Sequence, residues 1–126
     1  MGKFETWEDK AKELDAIMRP PGAPKVRGPS SGIAPDFAQE LRTFVLGGVM
    51  ARPGLDLRTR LLCTIAAVTV LGKEPILKHY AGVALNAGCT KQEVAEVVAQ
   101  MAVYGGAPCA MIGLAAVDQA WREIGR

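Results

Sequence analysis

Apolar residues recur at three- and four-residue intervals over most of this chain, and no run alternates cleanly between polar and apolar side chains. That spacing predicts helices and no sheet. Six helical segments can be drawn. The first runs from about Trp7 to Met18, with Thr6 as its N-cap and Glu8 and Asp9 in its first turn, and stops before Pro20-Pro21. The second opens near Pro35, where proline suits the first turn, and breaks at Arg52-Pro53-Gly54. Between them, residues 19–34 are rich in proline and glycine and read as an extended arm.

Asp56 is placed to cap a third helix, Leu57–Leu71, whose second half is apolar on nearly every side. Such a helix belongs in a core or at a subunit interface. A fourth spans about Glu74 to Ala87, with Gly88 as its stop. Thr90-Lys91-Gln92-Glu93 has the spacing of a capping box and opens a fifth helix, which carries Val94, Val97, Val98, Met101 and Tyr104 on one stripe. Gly105-Gly106 interrupts it, and Pro108 opens the last helix, with Met111, Leu114, Ala115 and Trp121 along one face. No internal repeat is visible. The expected organisation is a single domain over residues 1–126: an N-terminal helix and arm (1–34), then a helical core (35–126).

Composition narrows the function classes. The chain has 126 residues, 49% hydrophobic and 22% charged, which suits a globular domain. A net charge of +2 argues against a nucleic-acid or membrane-surface partner. The longest apolar run, Leu61–Leu71, is too short to span a bilayer, and residues 1–13 lack the apolar segment of an export signal, so a cytoplasmic protein is expected. Cys63, Cys89 and Cys109 are widely spaced, with no Cys-x-x-Cys pair, and His79 is the only histidine. Neither a disulfide framework nor a metal site is expected.

Four stretches, in order, carry a family resemblance: Arg52-Pro53-Gly54-Leu55-Asp56; Arg58-x-Arg60-Leu61; Ala84-Leu85-Asn86-Ala87-Gly88-Cys89-Thr90-Lys91-Gln92-Glu93-Val94; and Val103-Tyr104-Gly105-Gly106-Ala107-Pro108. Together they resemble the carboxymuconolactone decarboxylase family. The resemblance implies an AhpD-like all-α fold of about six helices that oligomerises, often as a ring of three dimers, so a homotrimer or homohexamer is expected. Members include cofactor-free decarboxylases of aromatic catabolism and thiol-dependent alkylhydroperoxidases. The peroxidases use Cys-x-x-Cys before a helix-borne histidine, whereas this chain has no cysteine between Cys63 and Cys89. The decarboxylases place a histidine eight residues before the glycine matched by Gly88; here that position is Tyr80, with His79 one residue earlier. They also carry Trp-Gly-Glu where this chain has Leu46-Gly47-Gly48.

A decarboxylase without a cofactor must hold carboxylates, stabilise charge as carbon dioxide leaves, and return a proton to carbon. Arginine's planar fork suits the first task. Arg52 is the leading candidate, while Arg58 and Arg60 read more simply as solvated first-turn residues. His79 is the one side chain that titrates near neutrality unperturbed, and it shares a helix face with Pro75, Gly82 and Asn86. Tyr80 lies on an apolar stripe with Ile76, Val83 and Ala87, which fits a core residue whose hydroxyl can reach a cavity. These two are the candidate catalytic residues, and Arg52, Tyr104 and Cys109 the candidate substrate contacts. Packing is the plainer account of Tyr104. Cys109 stands in the first turn of a helix, a setting that favours reactive thiols, although a small buried cysteine is the commoner case.

The leading reading is a cofactor-independent lyase or proton-transfer enzyme for a small carboxylated lactone or related acid, in aromatic-compound catabolism. A thiol peroxidase working through Cys109 or Cys63 is a second, and a non-catalytic helical oligomer a third.

Overall fold

The computed structural model describes residues 3–23 and 32–126, with side chains from Thr6 onward in the first helix. Every regular element among the described residues is helical. In chain order they are α1 (Lys3–Met18), α2 (Pro35–Arg42), a π-helical continuation (Thr43–Met50), α3 (Leu57–Leu71), α4 (Glu74–Asn86), α5 (Lys91–Gln100), the single turn α6 (Ala102–Gly105) and α7 (Ala107–Glu123). Helix α2 passes into the π segment through residues in ordinary right-handed conformation, so Pro35–Met50 is one rod. None of the helices is long and apolar enough to cross a membrane.

Local sequence explains most of the boundaries. The Asp56 carboxylate accepts from the Thr59 amide at 2.7 Å and starts α3. Thr90 and Glu93 form both halves of the capping box, at 3.0 and 2.9 Å, and start α5. Gly72 and Gly88 follow α3 and α4 with φ of +70° and +96°, where a side chain would be strained.

Two boundaries depart from the sequence pattern. Thr6 lies inside α1, whose first residue is Lys3, so it is not the N-cap. The fifth helix ends at Gln100, and Tyr104 sits on the separate turn α6. Val94 and Val98 are therefore fully buried, while Tyr104 is 72% exposed. Residues 24–31 of the expected arm lie outside the described residues.

The core has two adjoining parts. Ile65, Leu77, Ala81, Ala84, Val94, Val98, Val117 and Trp121 join α3, α4, α5 and α7. The buried Trp121 indole donates to the Ala81 carbonyl at 3.0 Å. Ala11, Met18, Leu46, Leu61 and Val83 join α1 and the π segment to α3 and α4. Tyr80 packs against both groups. Helix α3 is buried on one side only, through Leu61, Ile65 and Thr69; its Cys63, Val70 and Leu71 are exposed.

The crossing of α1 over the π segment is unusually close. A Cβ added at Gly47 would lie 1.9 Å from the Trp7 carbonyl oxygen, and one at Gly48 would lie 3.1 Å from the Trp7 ring. The Leu46-Gly47-Gly48 stretch is thus a helix-crossing surface, and its glycines are required by packing.

Candidate active site

His79 and Tyr80 lie on α4 at the seam between the two parts of the core, and both line one cavity of about 480 Å³. Adjacent residues on a helix point about 100° apart, yet both reach the cavity because α1 and α2 frame it from two sides. Met18 and Arg19 close it from the end of α1, Ala38, Leu41 and Arg42 from α2, Val45 and Leu46 from the π segment, and Ile76 from one turn earlier on α4. The wall is mostly aliphatic, and its polar groups are two guanidiniums, an imidazole and a phenol.

His79 is buried, at 8% exposure. The Arg19 Nη2 stands 3.4 Å from its Nε2. A guanidinium only donates, so in this contact Nε2 is the acceptor and presents a lone pair on the Arg19 side. The His79 and Tyr80 rings meet edge to face, with centroids 5.1 Å apart at 73°. Burial pushes the Tyr80 phenol above its ordinary pKa of 10.0, partly offset by the Arg19 charge. Tyr80 is therefore a neutral O–H donor at physiological pH.

The end of α1 is fixed where the site needs it. The Asn86 amide donates to the Met18 carbonyl at 2.7 Å, and the Arg126 guanidinium donates to the Asn86 side-chain oxygen at 2.5 Å. Asn86, two turns after His79 on α4, thus ties down the residue before Arg19. Asp15 pairs with Arg42 across the two helices and lies 3.6 Å from the Arg19 Nε.

The other sequence candidates lie elsewhere. Arg52 does not share a cavity with His79. It lines a separate cleft of about 310 Å³ with Trp7, Lys10, Gly48 and Pro53. The reason is position along the rod: Arg42 lies at the junction of α2 and the π segment, whereas Arg52 lies beyond the segment's end at Met50. Arg60 donates to the Arg52 and Leu55 carbonyls at 3.1 and 3.3 Å and shapes that loop. Arg58 grips Glu93 through both carboxylate oxygens at 2.6 Å and ties α3 to α5. Tyr104 is exposed on α6 and outside the His79 cavity.

All three cysteines are free, and none lines that cavity. Cys63 is exposed. Cys89 is buried, its thiol donating to the Arg58 carbonyl at 3.8 Å, and burial raises its pKa. Cys109 is half-buried, with its thiol 3.7 Å from the Met101 carbonyl. Among the described residues no three His, Cys, Asp or Glu side chains gather as a metal site would require.

Sequence reasoning missed Arg19 and Arg42. Both lie before Arg52, outside the motifs that carry the resemblance. A signal existed for Arg42: Ala38, Leu41, Arg42 and Val45 occupy one helical face, a lone charge on an otherwise apolar stripe. Nothing local marked Arg19, which reaches His79 across 60 residues of sequence.

Among the described residues the fold is all-helical, and a buried histidine and a half-buried tyrosine share one cavity with two arginines, with no thiol lining it. Residues 35–119 match the model of the carboxymuconolactone decarboxylase family, and the chain belongs to that family. It is 32% identical over 90 residues to a 4-carboxymuconolactone decarboxylase of Acinetobacter baylyi, covering 71% of this chain and 67% of that protein. It is 38% identical over 93 residues to an uncharacterized 15.0 kDa protein in the nqo9-nqo10 intergenic region of Paracoccus denitrificans, covering 72% and 69% of the two.

Proposed function

We propose that this protein is a cofactor-independent lyase or proton-transfer enzyme acting on a small carboxylated lactone or related acid. The observation that carries the reading is the convergence of Arg19, Arg42, His79 and Tyr80 on one largely aliphatic cavity. Arg19 and Arg42 anchor a carboxylate by charge-assisted hydrogen bonds. The aliphatic wall takes the body of the molecule.

His79 Nε2 is the proton acceptor and the Tyr80 hydroxyl the donor. In a decarboxylation the bond from carbon to the carboxylate breaks, its electron pair passes into the conjugated carbonyl, and carbon dioxide leaves. A proton from the Tyr80 hydroxyl then returns to carbon, and the phenolate takes its proton back from solvent. In an isomerisation His79 takes a proton from carbon, and the same carbonyl accepts the electrons while Tyr80 hydrogen-bonds its oxygen. The family membership and the named decarboxylase relative support an assignment to this chemistry. The expected homotrimer or homohexamer is part of the proposal, supported by exposed Val70, Leu71, Val103, Tyr104, Met111 and Ile112 where α3, α6 and α7 come together.

The test is turnover of 4-carboxymuconolactone and other carboxylated lactones, followed by NMR. We expect His79→Ala or Tyr80→Phe to lower kcat by on the order of 10²–10⁴. Arg42→Ala should raise KM more than it lowers kcat. Unchanged turnover in the His79→Ala/Tyr80→Phe double variant would overturn the assignment.

A further inference from the structure

We propose that Asn86 is a positioning residue: it fixes the end of α1 so that Arg19 donates to His79 Nε2, and thereby sets the imidazole tautomer in which Nε2 is the proton acceptor. The inference rests on the reading of His79 as the acid–base group. The last carbonyls of a helix have no partner within it, and α1 ends at Met18, two residues before Pro20. The Asn86 amide takes up one of these carbonyls, donating to Met18 at 2.7 Å across 68 residues of sequence. Its other end is fixed as well. The Arg126 guanidinium donates to the Asn86 side-chain oxygen at 2.5 Å, so that oxygen faces Arg126 and the NH2 group faces Met18. Asn86 is half-buried on the helix that carries His79, about two turns further along. Helix α4 therefore holds the main chain of α1 at one point and meets the side chain that follows it at another.

Met18 is 2% exposed, and Arg19 is the next residue. A shift of the Met18 carbonyl moves the root of the Arg19 side chain with it. Asp15 draws on the Arg19 Nε from 3.6 Å and is shared with Arg42, so it orients the guanidinium without fixing how far the end of α1 lies from α4. The separation of 3.4 Å from Arg19 Nη2 to His79 Nε2 is long for a hydrogen bond, and a small retreat breaks it. While the bond stands, a guanidinium that can only donate puts the proton of the neutral ring on Nδ1. Arg19 is also one of the two arginines that anchor a carboxylate in the proposed function. An incoming acid draws the donor away from Nε2, and the lone pair so uncovered is the base.

The readout is the tautomer, which needs no substrate and belongs to one residue, since His79 is the only histidine. It is measured by nitrogen NMR of the labelled imidazole at about pH 8.5, above the ordinary imidazole range. Wild-type protein should show the Nδ1–H form. Asn86→Leu keeps the bulk and removes both hydrogen bonds, and should raise the share of the Nε2–H form by about fivefold, the scale of one lost hydrogen bond. Arg126→Ala, at an exposed residue, should move the ratio the same way by less, with the fold intact. In an Arg19→Ala background Asn86→Leu should add nothing, because its effect runs through Arg19. A merely structural Asn86 would lower Tm and leave the ratio alone. An unchanged tautomer in Arg126→Ala and in folded Asn86→Leu, or an equal effect of Asn86→Leu with and without Arg19, would overturn the inference. Benzoate, a small carboxylate, separates it from the acid-binding reading. It should move the wild-type Nε2 signal while the proton stays on Nδ1; no response at millimolar concentration would remove that reading and leave the positioning role standing.

Discussion

Replacing Gly47 by alanine adds one methyl group where the protein has no room for it. The new Cβ would stand 1.9 Å from the Trp7 carbonyl oxygen, 2.6 Å from its carbonyl carbon and 2.8 Å from its Cα. All three are backbone atoms of α1, so no side chain can swing aside. Helix α1 must retreat by about 1.5 Å to restore ordinary contact, and a gap of even ~1 Å forfeits up to about half the dispersion attraction across it. Overpacking of this kind costs about 1–3 kcal/mol. For a domain of this length each kcal/mol lowers Tm by about 4 °C, so the expected drop is about 4–12 °C.

The same movement reaches the site. Helix α1 carries Met18 into the core and Arg19 to within 3.4 Å of His79, at the far end from the clash. A shift of the helix breaks that hydrogen bond before it unfolds the chain. Circular dichroism melts give the stability, and the chemical shifts of the single imidazole under benzoate titration report the site. Gly54→Ala is the control, since nothing lies within 4 Å of a Cβ there. Equal melting temperatures for Gly47→Ala and Gly54→Ala, with the imidazole unperturbed, would refute the close-crossing argument.

Three further outcomes are expected. The Arg58 hydrogen bond holds the Glu93 carboxyl below its ordinary 4.5, and the Thr59 amide and hydroxyl hold Asp56 below 3.8. Folded-state values below unfolded ones give stability that is present above the unfolded values and lost as pH falls through the folded ones. Tm should therefore stay flat from neutrality to about pH 5 and fall below it, and Glu93→Gln, which keeps a capping side chain without the ion pair, should flatten that fall; an identical acid slope in the variant would contradict the assignment. Sedimentation at micromolar concentration should show an oligomer that Tyr104→Asp/Met111→Asp dissociates, and a wild-type monomer would remove the interface. Cys63→Ala and Cys109→Ala should leave lactone turnover largely intact, because neither thiol lines the cavity, whereas peroxide turnover lost in either variant would point to thiol chemistry.

Much of this molecule was legible residue by residue. Asp56, the Thr90–Glu93 box, Pro35, Gly72 and Gly88 act on their immediate neighbours, and the helix starts and stops they encode stand where local chemistry puts them. Helical periodicity likewise marked Val94 and Val98 as core, since burial of one face is a property of the helix itself; of the face read on the last helix, only Trp121 is buried, and Met111, Leu114 and Ala115 are exposed. The combination of Arg52-Pro53-Gly54 with the later motifs was enough for the family.

Long-range placement was another matter. Met101 ends α5 one turn early, so the stripe that seemed to include Tyr104 in the core leaves it outside. Leu46-Gly47-Gly48 reads as a departure from the family's Trp-Gly-Glu; its glycines are the surface that lets α1 cross the rod at contact distance. Arg52 sits in the family motif but lines a separate cleft, while Arg19 and Arg42, outside every motif, line the cavity with His79. A guanidinium's partner depends on which helices cross and at what distance. Local sequence constrains that crossing only weakly, because the free energy that fixes it is spread over the many contacts of two packed cores.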